Sequence, residues 1–110
     1  MFFRKNTKRV TIRLMNEYGV RLPVWHENYD LTPQILEQLS SNLITDLAIW
    51  SATFDRHFSA DSGLWDSDEL AKTQYLEGLR LAKALKRELP SSYLVKFVPW
   101  EHKKRPKRLR

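Results

Sequence analysis

The chain is predicted to fold as a two-layer α+β domain, with a three-stranded mixed sheet and two long antiparallel helices across one face. Three observations lead there: paired period-2 apolar runs near the start, a long apolar stripe at helical spacing in the middle, and one more period-2 run near the end. In the first run Val10, Ile12 and Leu14 alternate with Thr11, Arg13 and Met15, and Val20, Leu22 and Val24 repeat the pattern. A three-residue loop, Glu17-Tyr18-Gly19, would pair Leu14 with Leu22 and Ile12 with Val24, leaving Gly19 to take the left-handed conformation. Thr32-Pro33 is a helix start, with Thr as cap and Pro at the first helical position. Leu36, Leu39, Leu43, Leu47, Trp50, Phe54 and Phe58 then form one stripe, predicting a helix over roughly 33–58.

Asp61-Ser62-Gly63 supplies turn chemistry, and Asp66 with Glu69 has the spacing of a capping box opening a second helix. Its expected inner face is Leu70, Ala71, Tyr75, Gly78, Leu79, Ala82, Leu85 and Leu89, and Pro90 ends it. Gly78, unfavourable inside a helix, marks a point where a Trp or Phe of the first helix leans in. Tyr93, Val95 and Phe97 form the third strand. Pro23 and Pro99 send the second and third strands to the edges, so the order is 2-1-3 and the topology ββααβ. The third strand then runs parallel to the first.

With 110 residues the chain makes one domain, expected over 10–100, between a basic arm at 1–9 and a basic tail at 101–110 expected to be disordered. Zero cysteines exclude disulfides, thiol nucleophiles and Cys-containing zinc sites. No apolar run is long enough to span a membrane, so a cytoplasmic protein is expected. Of 19 Lys+Arg and 13 Asp+Glu, giving a net +6, much of the positive charge sits at the ends. Arg4, Lys5, Lys8 and Arg9 lead the chain, and Lys103, Lys104, Arg105, Lys107, Arg108 and Arg110 close it. Between them the body is acidic: Glu27 to Glu69 contains nine carboxylates against Arg56 alone.

Catalytic patterns are sparse. Asp55, His57 and Asp61 are residue types that bind metal or share a proton, the only hint of a metal-dependent hydrolase. Asp55 and His57, two apart, point about 200° from each other on a helix. Gly63 stands too close to Asp61 for a calcium loop. No serine lies in G-x-S-x-G, and three glycines build no phosphate cradle. A non-catalytic protein without cofactor is therefore expected.

Binding surfaces are better represented. With the apolar set turned to the helices, the other sheet face would show Arg13, Arg21, Trp25, Lys96 and Trp100. Tryptophan among cations on an open face calls for a cover, either chain-end residues such as Phe2 and Phe3 or a partner. Two partner classes fit. The leading one is a protein, or a second copy of this chain, met through Trp25 and Trp100 or through the acidic side at Asp46, Asp55 and Asp61. Such an acidic side suits a basic partner, as in nuclease inhibitors that imitate phosphate spacing. The alternative is RNA or single-stranded nucleic acid, with bases on the tryptophans and phosphates on Arg13, Arg21, Lys96 and the tails.

The stretches EYGVRLPVW, DLAIWSATFDRHF, DSGLW and EGLRLAKALKRELPSSYLV, taken in order and spacing, resemble a group of small uncharacterised bacterial proteins. The likeness runs over about residues 12–97, roughly three quarters of the chain. These are packing and turn patterns, so the resemblance implies a fold and no activity. Both basic ends lie outside it.

Overall fold

The computed structural model describes residues 9–27 and 32–102. The expectations for residues 1–8 and for Lys103 to Arg110, including a cover from Phe2 and Phe3, lie outside that range. In chain order the elements are β1 (Val10–Leu14), β2 (Val24–Trp25), α1 (Thr32–Glu37), α2 (Ser41–His57), α3 (Asp68–Glu88), β3 (Tyr93–Phe97) and a 3-10 helix (Trp100–His102). The sheet order is β2-β1-β3, with β2 antiparallel and β3 parallel to β1. Two layers, a mixed three-stranded sheet and the ββααβ order agree with the sequence reading. No described helix is long and apolar enough to cross a membrane.

β1 is central because it alone is paired on both sides, and its inward residues Ile12 and Leu14 are fully buried. The parallel register runs from Val10 opposite Tyr93 to Leu14 opposite Phe97. Against β2 the register differs from expectation: Leu14 faces Val24 and Arg13 faces Trp25, not Leu14 facing Leu22. The shift is two residues, which preserves which face each side chain occupies, so alternation alone cannot tell the two registers apart. Met15 to Pro23 is consequently a long loop, closed by Met15 N–H donating to Pro23 O at 2.9 Å. Gly19 does adopt the left-handed conformation, φ +75°.

The expected helix over 33–58 is two helices. Ser40 is extended, accepts from Leu43 N–H at 3.1 Å, and gives its own N–H and Oγ–H to the Glu88 carboxylate at 2.6 and 2.9 Å. The break is thus pinned to the far end of α3. Leu39, Leu43, Leu47, Trp50, Phe54 and Phe58 are buried as the stripe predicts. α3 starts one residue later than expected, with Ser67 as its cap accepting from Leu70 N–H at 3.1 Å. Its buried face is Ala71, Gln74, Gly78, Leu81, Ala82, Ala84 and Leu85, whereas Tyr75 and Leu79 are exposed. Trp50 and Gln74 join the two long helices: each side chain donates to the other's backbone carbonyl, at 2.9 and 3.2 Å. A Cβ at Gly78 would lie 2.5 Å from Phe97 Cζ and 3.0 Å from Trp50 Cζ2. The tryptophan does lean in there, and β3 contributes a second ring.

Candidate partner-binding site

Where α2 ends, its stripe becomes aromatic. Phe54 and Phe58 stack with centroids 5.1 Å apart, Trp65 meets Phe58 edge-on at 5.3 Å, and Trp100 meets both phenylalanines at 5.9 and 5.8 Å. Each such pair is worth about 0.5–1.5 kcal/mol beyond the area it buries, so this end of the molecule is firmly packed. Trp100, expected on the open sheet face, instead packs against α2, and its Nε1–H donates to Asn16 O at 2.7 Å. The turn into the 3-10 helix after Pro99 redirects it. Beneath it Glu101 is buried and accepts from Asn16 Nδ2–H at 2.8 Å. Burial pushes the Glu101 carboxyl up, only partly offset by the Asn16 hydrogen bond. Glu101 and His102, counted with the basic tail in the sequence, lie in the 3-10 helix.

Two loops cover this base. In the first, Tyr18 lies on Phe54 with ring centroids 5.0 Å apart and keeps 43% of its surface exposed. Besides the Trp100 and Glu101 bonds to Asn16, the loop is held by Gly19 N–H to Asp55 Oδ1 at 3.2 Å, Ser51 Oγ–H to Val20 O at 2.9 Å, and Trp25 Nε1–H to Met15 O at 2.9 Å. Partial burial and then the carboxylates of Glu17, Glu101 and Asp55 push the Tyr18 hydroxyl up, so it remains a protonated donor at neutral pH. The second loop joins α2 to α3. Phe58 bridges Trp65, Ser59 N–H donates to Leu64 O at 2.9 Å, and Asp66 N–H donates to His57 O at 2.9 Å. Gly63 takes φ +72°, closing a tight tip that exposes Asp61, Ser62 and Leu64. A cleft of about 410 Å³ opens beside it, lined by Asp68, Ala71, Lys72, Tyr75 and His102.

The expected site residues fall into three groups. Asp55 and Asp61 stand at this aromatic end, joined by exposed Asp66, Asp68 and Glu69, with Arg56 and Lys72 as the exposed cations nearby in sequence. Asp46 stands apart, about 14 Å back along α2, and its carboxylate is held by Arg80 at 2.9 Å. Trp25, Arg13 and Lys96 share the open sheet face, and Arg21 is exposed in the first loop. The trio Asp55, His57 and Asp61 does not form a metal set. His57 Nδ1 pairs with Asp66 Oδ2 at 2.6 Å, Asp55 serves Gly19, and no group of three ligands stands together among the described residues. Sequence reasoning passed over Tyr18 as a turn residue and Leu64 as a loop residue. The signal for Tyr18 was an aromatic side chain at a turn tip, where a polar residue costs nothing.

A family model described as Serratia CdiI immunity protein-like matches residues 10–100. The chain belongs to that family. The match runs from the first residue of β1 into the 3-10 helix, so it takes in both loops of the aromatic end and omits the two basic ends. It contains the span over which the sequence resembled small bacterial proteins. No curated protein matches the chain.

Proposed function

We propose that this protein is a non-catalytic immunity protein that captures a toxin carrying a basic surface, and that the acidic aromatic end is where it does so. Family membership supports the class of function. The observation that carries the location is Tyr18: a large ring, 43% exposed, on a loop fixed to α2 through the Asp55 carboxylate, with Glu17 next to it in the chain. An exposed aromatic on a rigid base loses little entropy when covered, which is what an interface anchor requires. Leu64 adds apolar area from the second loop, and Asp55, Asp61, Asp66 and Asp68 supply the charge that steers a cationic partner. Catalysis has no constellation to support it among the described residues.

Growth protection tests the reading. Toxin domains from the source genome are expressed in a susceptible host with or without this protein. One toxin is expected to be neutralised by the wild type and only weakly by a Tyr18→Ala/Asp55→Asn double variant. Asp46→Asn, whose carboxylate is already engaged by Arg80, should protect like the wild type. Equal protection by all three would move the docking surface elsewhere, and protection lost through Asp46→Asn alone would place it on the outer face of the helix pair.

A further inference from the structure

We propose that the open face of the sheet, on the side away from the helices, is a separate binding surface for single-stranded nucleic acid, centred on the row Trp25–Arg13–Lys96. The strand registers place these three residues side by side across all three strands: Arg13 opposite Trp25 on one side and opposite Lys96 on the other. Neighbouring strands are about 4.8 Å apart, so the row is compact. Ile12 and Val95 are buried against the helices, which turns Arg13 and Lys96 outward.

Two features of the row point to a ligand. Arg13 and Lys96 are like charges directly across a strand pair, an arrangement that costs stability, and neither has an ion-pair partner among the described residues. A bound anion would relieve that repulsion. Trp25 is half-buried and has its only polar group satisfied inside the protein, Nε1–H to Met15 O at 2.9 Å, so what it offers a ligand is the part of a fixed ring that stays accessible. A carboxylate-bearing protein would gain from the cations and gain little from the ring. A nucleic-acid strand uses both, stacking a base on the ring and setting phosphates on the cations. The same alternation carries Thr11 on this face, and the exposed Arg9 directly precedes β1.

The test is fluorescence anisotropy of the full chain with a labelled twelve-nucleotide oligouridine RNA at several salt concentrations. The comparison variants are Arg13→Gln/Lys96→Gln and Trp25→Leu, which keep both basic ends intact. The paired substitution is expected to weaken binding at least tenfold and to flatten the salt slope by about 1.4, two phosphates at about 0.7 each. Trp25→Leu should weaken binding about 5- to 150-fold and leave that slope unchanged. Should Trp25→Leu fail to fold, Trp25→Phe takes its place and is expected to retain most of the affinity, with the paired variant carrying the decision. Wild-type affinity in the paired variant would assign the binding to the chain ends and overturn the proposal, as would no binding by the wild type. A polyglutamate peptide bound as tightly as the RNA would overturn it in favour of an acidic protein.

Discussion

Glu101 illustrates how one residue can count as a surface charge in the sequence and yet lie buried in the fold. In a run of cations it counts as a tail charge; in the fold it lies buried under Trp100 with a single side-chain donor, Asn16, and no hydrogen bond to its Oε1 among the described residues. His102 Nε2 stands 3.7 Å from the bonded oxygen. Because burial raises its pKa above 4.5, the folded protein holds this proton more tightly than the unfolded chain. Stability therefore falls as pH rises from the unfolded pKa through the folded one, and the loss is complete above it. Glu101→Gln is expected to melt higher than the wild type at pH 7, with the two melting curves converging below about pH 4.5. An unchanged difference at both pH values would show that charge burial is not the cause. Gly78 supplies a second case. Alanine would gain about 1 kcal/mol of helix propensity, but its Cβ meets Phe97 and Trp50 from two sides. The expected result of Gly78→Ala is a net loss of about 1–2 kcal/mol in denaturant unfolding.

Elements were legible where periodicity had only one solution. β1, β3 and α3 stand close to the positions that alternation and the 3.6-residue stripe assign them, because burying those stripes leaves no competing arrangement. Two boundaries were not legible, for different reasons. Leu39 and Leu43 are four apart, a spacing equally suited to a continuous helix and to two helices sharing a face, so the stripe runs unbroken across a real break. What makes the break is Glu88, forty-eight residues away, holding Ser40. Likewise β2 could slip by two residues without exposing an apolar side chain, and the register was settled by the loop's bonds to Ser51, Asp55 and the 3-10 helix. The caps can be checked directly. Ser40→Ala and Ser67→Ala are each expected to cost about 1 kcal/mol in denaturant unfolding. Asp66→Ala, which removes only an exposed partner of His57, should cost under about 0.5 kcal/mol, whereas a true Asp66 cap would make it the costliest of the three. On β3, Lys96→Thr removes the like-charge neighbour of Arg13 and should raise stability by a few tenths of a kcal/mol, about 0.2–1.

The whole molecule separates its charges by place. Carboxylates gather at the aromatic end where α2 hands over to α3, Arg13 and Lys96 stand on the open sheet face, and Lys83, Lys86 and Arg87 stand at the far end of α3. Charge blocks along the sequence pointed to an acidic side but spread it over Glu27 to Glu69, because a linear count cannot see that Asp46 is tied, together with Glu77, to Arg80 while Asp61 projects from a loop tip. Nor could it see that Tyr18 and Leu64, forty-six residues apart, are exposed on two loops over one aromatic base. The fold turns a diffuse acidic segment into a compact surface with an exposed aromatic ring, Tyr18. Affinity for a toxin should then depend on one ring and a few charges, with charge acting mainly through the association rate. The most direct measurement is the binding kinetics of the full chain with any toxin that the growth-protection experiment identifies, for wild type, Tyr18→Ala and Asp55→Asn/Asp61→Asn. Tyr18→Ala is expected to speed dissociation by about thirtyfold or more, the mark of an anchor worth about 2 kcal/mol, while the Asp pair slows association in a manner abolished by high salt. Rates equal to wild type in both variants would contradict the account and leave the acidic aromatic end a packed, solvated surface.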